Sequence, residues 1–120
     1  MNNTPVYQDL SIPRKTSKLY ELRFTKSGGR IDITDWIVFF TMKNNMSDPD
    51  AQAVISKTIK EFDNPSSGIA TVSLTADDTD ITPKSYYYDI TVQDDEVPTN
   101  RIVVVRGRIT IEKTTTLRDE

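Results

Sequence analysis

The residues of this chain that could do chemistry are mostly carboxylates. Asp77, Asp78 and Asp80 stand close together, and a second acidic group follows at Asp94–Glu96. Calcium binds roughly six to eight oxygen atoms, so the two groups together could form a calcium site with Asp77, Asp78 and Asp80 as ligands. Their spacing does not match an EF-hand loop. The alternative is that Asp77 and Asp78 begin a short helical turn, where the helix dipole favours negative charge.

Most catalytic arrangements need residues that this chain lacks. It contains no histidine and no cysteine, so the usual general base and thiol chemistry are missing. Ser56 and Lys57 are adjacent, and adjacent residues of a strand point to opposite faces. Paired carboxylates could hydrolyse a glycosidic bond, but they need a cleft between them. We therefore expect a protein that is not an enzyme and that binds no cofactor.

Aromatic residues could bind a sugar. Tyr86, Tyr87 and Tyr88 are consecutive, and sugar rings stack on exposed aromatic side chains. Alternation along a strand would bury Tyr86 and Tyr88 and leave Tyr87 as the exposed ring. One such ring favours carbohydrate binding only weakly.

A basic stripe follows at Arg101, Arg106 and Arg108. Asp89 and Glu112 are expected beside it, which is typical of a charge ladder or of salt bridges between subunits. The net charge of −3 and the sequence pI near 5.0 also argue against nucleic acid as a partner. No apolar run is long enough to cross a bilayer, and the first residues do not resemble a signal peptide. We expect a soluble protein that binds neither nucleic acid nor membrane.

The elements that position these residues are strands, because apolar residues alternate with a period of two and no helical period is sustained. The length of 120 residues predicts one domain, 1–120. Two lysines in the segment Ala53–Glu61 indicate that it is an edge strand. The predicted strands are Tyr7–Ile12, Leu19–Thr25, Trp36–Met42, Ala53–Glu61, Ile69–Thr75, Tyr86–Gln93 and Val105–Glu112.

Turn sequences separate these strands at fairly even spacing. Lys26–Arg30 and Gln93–Asn100 are typical of hairpins, while Asn44–Asp50 and Asp63–Gly68 are a longer loop and a turn. About seven short strands with regular turns predict an all-β fold, namely an immunoglobulin-like sandwich of two antiparallel sheets.

One segment is too polar to be a strand. Thr75 and Asp78 have the spacing of a capping box, which predicts one short helical turn near 76–81, crossing between the sheets. Tyr86 follows at the start of the next strand. This position predicts a tyrosine corner, in which the phenol hydroxyl bonds to backbone a few residues upstream.

The strand Trp36–Met42 is apolar on both faces, which is typical of a central strand whose second face is covered. Ile37 and Phe39 lie on that second face. Two interpretations stay open: the N-terminal segment or a loop covers them, or they form a docking patch for another subunit. The polar termini, 1–5 and 114–120, are expected to be ordered only by a partner.

Five blocks of the sequence follow one another in a fixed order: "DLSIPRKTSKLYELRF" (Asp9–Phe24), "GGRIDITDWIVFFTMK" (Gly28–Lys43), "FDNPSSGIATVSLTADDTD" (Phe62–Asp80), "SYYYDITVQD" (Ser85–Asp94) and "VVVRGRITIEK" (Val103–Lys113). In this order they resemble the small β-sandwich domain of tailed-phage virion proteins. That domain is best known as the N-terminal domain of baseplate upper proteins and as small phage structural proteins. The chain departs from the pattern at Pro13–Ser17 and at Ser85, where a glycine is more usual.

The resemblance implies a non-enzymatic structural protein of the virion, assembled in the host cytoplasm, commonly in the tail or baseplate. Its partners would be other virion proteins and copies of itself. Ile37, Phe39, Arg106 and Arg108 are the predicted interface residues. A capsid decoration or neck protein is one alternative, and a carbohydrate-binding adhesin domain that uses Tyr87 is another.

Overall fold

A computed structural model describes residues 6–26, 29–93 and 101–117. Within these ranges the chain is all-β, with two short 3₁₀ helices at Asp50–Gln52 and Pro65–Ser67. No helix of this part of the chain is long and apolar enough to cross a membrane. The strands are β1 Val6–Tyr7, β2 Leu10–Pro13, β3 Lys18–Arg23, β4 Thr25–Lys26, β5 Gly29–Arg30, β6 Ile37–Lys43, β7 Ile55–Ile59, β8 Ile69–Leu74, β9 Ser85–Gln93 and β10 Arg101–Glu112.

The large sheet has the strand order β1-β10-β9-β6-β7, and β2 also pairs with β10. The pairs β10–β9, β9–β6 and β6–β7 are antiparallel. β1 and β2 run parallel to β10, so the prediction of a wholly antiparallel fold is wrong at this edge. The cause is that the first segment of the chain lies beside the last strand and runs in the same direction. β7 lies at the opposite edge, where the lysines of its segment predict it.

The predicted first strand, Tyr7–Ile12, is interrupted at Gln8 and Asp9. The amide of Gln8 still donates to the carbonyl of Arg106, at 3.0 Å. A Cβ atom on Gly107 would lie 2.1 Å from the Gln8 carbonyl oxygen. Only glycine therefore allows the first segment to approach β10 so closely.

Two smaller pairs of strands complete the structure. β3 and β8 are antiparallel, with Lys18 paired with Leu74 at one end and Arg23 paired with Ile69 at the other. β4 and β5 pair across the predicted Lys26–Arg30 hairpin, of which Ser27 and Gly28 lie outside the described residues. The β9–β10 pair agrees with the second predicted hairpin, whose connecting residues 94–100 also lie outside them.

The large sheet and the β3–β8 pair share one apolar core. Burying an aliphatic or aromatic side chain contributes about 1.5–3 kcal/mol, so this shared cluster is the main source of stability. The inward sets that alternation predicts for β6, β8 and β9 are buried, and a bulge between Val103 and Val105 resets the alternation of β10. The buried members are Ile12, Ile33, Val38, Phe40, Met42, Ile55, Ala70, Val72, Leu74, Tyr86, Tyr88, Ile90, Val92, Ile109 and Ile111.

The segment between β8 and β9 contains the predicted capping box. The Thr75 amide donates to the Asp78 carboxylate at 2.8 Å, and the Asp78 amide donates to the Thr75 hydroxyl at 3.1 Å. The structure forms a turn over 76–79, which is shorter than the predicted 76–81 and is not a helix. Thr79 ends it and is fully buried, where its hydroxyl donates to the Thr16 carbonyl at 2.7 Å and accepts the Thr16 amide at 3.0 Å.

Tyr86 is buried at the start of β9, directly after this crossing. Its hydroxyl donates to the carbonyl of Thr82, four residues upstream, at 2.6 Å. This is the hydrogen bond that defines a tyrosine corner.

The C-terminal residues 114–117 follow β10 without forming a strand, and the backbone carbonyl of Leu117 accepts a hydrogen bond from the amine of Lys15. Residues 1–5 and 118–120 of the predicted polar termini lie outside the described residues.

Candidate docking face of the large sheet

The four predicted interface residues lie on one face of the large sheet. Ile37 and Phe39 of β6 alternate with the buried side chains of that strand and therefore point away from the core. Arg106 pairs through Asp89 of β9 with Thr41, and Arg108 pairs through Tyr87 of β9 with Lys43. Thr41 and Lys43 lie on the same side of β6 as Ile37 and Phe39, so the two arginines point to that side as well. We call this side of the sheet the outer face.

Two rows of side chains cross the outer face from β6 to the N-terminal segment. The first, which we call the Asp89 row, is built by the pairs Thr41–Asp89, Asp89–Arg106 and Arg106–Tyr7. Neighbouring strands lie about 4.8 Å apart, so the row is about 14 Å long. Charged and aromatic groups are thus held at fixed positions by backbone pairing alone.

The second row, the Tyr87 row, lies beside the first. It is built by the pairs Lys43–Tyr87 and Tyr87–Arg108. Asp9 ends it, because its carboxylate accepts the backbone amide of Arg108 at 3.0 Å.

Arginines of β10 cover Phe39 and Tyr87, the two aromatic rings that β6 and β9 present on the outer face. The guanidinium carbon of Arg101 lies 4.4 Å from the centroid of Phe39, and Arg101 Nε donates to Gln93 at 2.7 Å. Arg108 lies 4.7 Å from the centroid of Tyr87 and donates to its hydroxyl at 2.6 Å. Such contacts contribute about 0.5–1 kcal/mol at exposed sites and hold the arginines in place.

The arginines over Phe39 and Tyr87 change two expectations from the sequence. Tyr87 is half-buried under Arg108, so it is not the exposed ring that alternation predicts. Phe39 and Ile37 are also half-buried, and the group over Phe39 is an arginine of the last strand rather than the N-terminal segment. Part of the apolar surface of β6 remains open on the outer face.

A groove of about 540 Å³ lies over the two rows, and residues from both line it. Tyr7 stands at one end and Met46, from the loop after β6, at the other. Their side chains are among the most exposed apolar groups of the described chain, at 71% and 63%. Tyr7, Met46, Asp9 and Lys43 are not among the interface residues predicted from the sequence, because only the folded strands bring them beside Arg106 and Arg108.

Asp89 lines the groove, beside Arg106 on the next strand. Burial raises the pKa of its carboxyl group, and this effect outweighs the Thr91 hydroxyl and the charges of Arg106 and Lys43, which lower the pKa. The Thr91 hydrogen bond is long, at 3.4 Å. Within the described residues Asp89 is therefore a partly desolvated acid with few hydrogen bonds, beside a cation on the next strand.

Lys43 is more firmly engaged. Its amine donates to the Asp48 carbonyl at 2.8 Å and to the Asp50 carboxylate at 2.7 Å. The hydrogen bond and charge of Lys43 hold the pKa of Asp50 below its usual value. These bonds fold the loop after β6 toward the outer face and thereby place Met46 at the end of the groove.

Two of the three candidate calcium ligands, Asp78 and Asp80, are engaged in ion pairs. Asp78 forms an ion pair with Lys57 at 2.8 Å, and Asp80 forms one with Arg14 at 3.0 Å. The described residues contain no group of three side chains arranged to hold a metal ion, and Asp94–Glu96 lie outside them. Asp78 and Asp80 fix the turn and its neighbours through these contacts.

No protein-family model matches this chain, and no curated protein matches its sequence.

Proposed function

We propose that this protein is a non-enzymatic structural subunit of a tailed-phage virion, commonly of the tail or baseplate. It assembles by docking the outer face of its large sheet against copies of itself or other virion proteins. The observation that carries this proposal is the alignment of Ile37, Phe39, Arg106 and Arg108 on that one face.

The arrangement of strands supports an immunoglobulin-like sandwich as the finer description of the fold. In the immunoglobulin scheme, β6, β9 and β10 correspond to strands C, F and G of one sheet, and β7 corresponds to C′. β3 and β8 correspond to B and E of the other sheet. Tyr86 stands at the E–F corner, with the hydrogen bond to Thr82 that such corners form.

The order of the five sequence blocks supports the phage class. The block with the closest resemblance, Gly28–Lys43, includes β5 and β6, and the last block, Val103–Lys113, lies on β10 and the residue after it. The blocks that resemble virion proteins therefore include both strands that supply the predicted interface residues.

The composition of the outer face supports docking. Aromatic residues, methionine and arginine are enriched in protein interfaces, and arginine and tyrosine often dominate binding energy. Phe39, Tyr87, Tyr7 and Met46 share this face with arginines that are already held in place. Because Arg101 and Arg108 are already held in place, their side chains would lose little conformational entropy when a partner covers the face.

Two measurements test this proposal. Mass spectrometry of purified phage particles should detect the protein at a fixed ratio to the other structural proteins, and cryo-electron microscopy would distinguish tail or baseplate from capsid surface or neck. Sedimentation velocity of the purified protein, alone and mixed with other virion proteins, should show a defined assembly.

A substitution links assembly to the face. Phe39→Glu should abolish assembly, whereas Ser73→Glu, the control at an exposed position of β8 and away from the outer face, should not. Absence of the protein from particles would overturn the virion assignment. Unchanged assembly of the Phe39→Glu variant would overturn the docking face.

A carbohydrate-binding adhesin domain is the second candidate, and the groove favours it. The groove combines the open ring of Tyr7 with the carboxylates of Asp9 and Asp89 and the guanidinium of Arg106. Saturable binding on a glycan array that is lost in Tyr7→Ala and in Tyr87→Ala would support this function. A lack of glycan binding would remove it.

A further inference from the structure

Each row of the outer face carries an acid and a base on opposite sides of the gap between β9 and β10. In the Asp89 row the acid lies on β9 and the base, Arg106, lies on β10. In the Tyr87 row the base Lys43 lies on β6 and the acid Asp9 lies beside β10. Asp89 and Arg106 thus form one pair of opposite charge at equal distances from a line that runs between β9 and β10, and Lys43 and Asp9 form a second.

Such a pattern is self-complementary under one rotation. A two-fold axis in the plane of the interface, parallel to the strands and between β9 and β10, would superimpose β9 on the partner's β10 and β6 on the partner's N-terminal segment. Asp89 would then face Arg106 of the second copy, and Lys43 would face its Asp9. A two-fold axis perpendicular to the strands and running along the Asp89 row would instead place Asp89 against Asp89, which is repulsive.

Two exposed apolar residues lie on opposite sides of the same axis. Tyr7 lies on the β1 side and Met46, in the loop after β6, lies on the β6 side, and both are largely exposed. The rotation brings each to the side on which the other residue of the second copy lies. Methionine sulfur packs favourably against aromatic rings, so the two exposed apolar groups would cover one another twice in the dimer.

We propose that the outer face binds a second copy of this chain as an isologous dimer, with a two-fold axis parallel to the strands between β9 and β10. This inference rests on the proposed function and specifies its partner and geometry. The charge complementarity of the face to itself selects the second copy as the occupant, because an isologous interface requires a self-complementary patch. In this dimer Asp89 of each copy contacts Arg106 of the other, and Tyr7 of each copy contacts Met46 of the other.

A pair of charge reversals tests the geometry. Arg106→Glu alone places two acids together at both reciprocal contacts, and Asp89→Lys alone places two bases together. Each variant alone should dimerise at least about tenfold more weakly than the wild type, because like charges in an interface are strongly unfavourable. An equimolar mixture should form a one-to-one heterodimer, since each contact then pairs an acid with a base.

Native mass spectrometry and sedimentation velocity distinguish these species, and circular dichroism checks that each variant is folded. Rescue in the mixture cannot arise from misfolding, because neither variant dimerises alone. If both single variants remain dimeric, this geometry is wrong although self-assembly survives. If the wild type is monomeric at high concentration, a second copy does not occupy the outer face. The proposed function is tested separately, by the presence or absence of the protein in phage particles.

Cross-linking provides a second measurement that does not disturb the charges. The chain has no cysteine, so Tyr7→Cys and Met46→Cys each introduce a single thiol. A short bis-maleimide reagent should link Tyr7→Cys to Met46→Cys in a mixture, and should link neither variant to itself. Equal yields in the separate variants and in the mixture would overturn the proposed axis.

Discussion

The hydroxyl of Tyr88, in the middle of the large sheet, donates a 2.7 Å hydrogen bond to the backbone carbonyl of Gln8, 80 residues earlier in the chain. Gln8 lies at the interruption between β1 and β2, where its carbonyl would otherwise lack a strand partner. This bond ties the N-terminal segment to the core. It therefore also positions Tyr7 and Asp9, which flank Gln8 and belong to the outer face.

Tyr88→Phe should loosen this segment and alter the alkaline stability. Burial first, and then the neighbouring Tyr20 and Asp9, raise the pKa of Tyr88 from 10.0 to about 12. Because the folded state holds the proton more tightly, the stabilising contribution of Tyr88 is complete below about pH 10 and is lost as the pH rises toward about 12. The variant should be about 1 kcal/mol less stable at neutral pH and should lose less stability over that alkaline range.

Urea denaturation at a series of pH values measures both effects. Burial also raises the pKa of Tyr20 and Tyr86, so the alkaline slope should become smaller in the variant without disappearing. An identical slope in Tyr88→Phe and the wild type would contradict the assignment.

Tyr86→Phe should destabilise the fold without affecting the outer face. The substitution keeps the buried ring and removes the 2.6 Å hydrogen bond to Thr82, leaving that carbonyl without this donor. The expected cost is about 1–2 kcal/mol in the free energy of unfolding. Tyr87→Phe is the matched control. In the described part of the chain the Tyr87 hydroxyl bonds only to the Arg108 side chain at the surface, so its loss should cost less than about 0.5 kcal/mol. Equal losses in the two variants would show that the corner is not a stabilising device.

The sequence predicts much of the fold because alternation is a local signal. In β8 and β9 the inward set is buried along the whole strand, since each residue's face depends only on its neighbours. The capping box of Thr75 and Asp78 and the corner at Tyr86 are also local, because their partners lie within four residues.

The remaining features depend on contacts that are distant in sequence. Parallel pairing of β1 and β2 with β10 joins segments about 100 residues apart, and no local pattern distinguishes it from antiparallel pairing. The start of β10 was missed because the bulge between Val103 and Val105 interrupts the alternation there. The groove was missed for a related reason: it exists only once the register places Asp89 beside Arg106.

Gly107→Ala should displace the N-terminal segment. The added Cβ atom would lie within 2.1 Å of the Gln8 carbonyl oxygen, a backbone atom that moves only if the segment moves. We expect a loss of about 1–3 kcal/mol, as for other overpacked sites. Hydrogen exchange should also accelerate at the Gln8 amide, which bonds to Arg106. Thr110→Ala, on the same strand but facing outward, is the control, and an unchanged exchange rate at Gln8 would contradict the proposed crowding.

The ion pair between Lys57 and Asp78 should stabilise the protein in a pH-dependent way. Lys57 lies on the edge strand β7 and reaches the Asp78 carboxylate at 2.8 Å, with both side chains partly buried. Burial alone raises the pKa of Asp78, but hydrogen bonds from Lys57 and Thr75 outweigh it and hold the pKa below 3.8. The contribution of a carboxyl group with a lowered pKa is present above its ordinary value and is lost as the pH falls through the folded-state pKa.

A double-mutant cycle isolates this pair. Lys57→Met keeps the length of the side chain and removes the charge, while Asp78→Asn keeps the size of the carboxyl group. At neutral pH the coupling energy from urea denaturation should be about 0.5–1 kcal/mol, and it should fall toward zero as the pH is lowered through the folded-state pKa of Asp78, because the carboxyl group then becomes protonated. Lys57→Met should also aggregate more readily, since an inward-pointing charge protects a sheet edge from pairing with another chain. A coupling energy that does not change with pH would show that the pair contributes through packing rather than through charge.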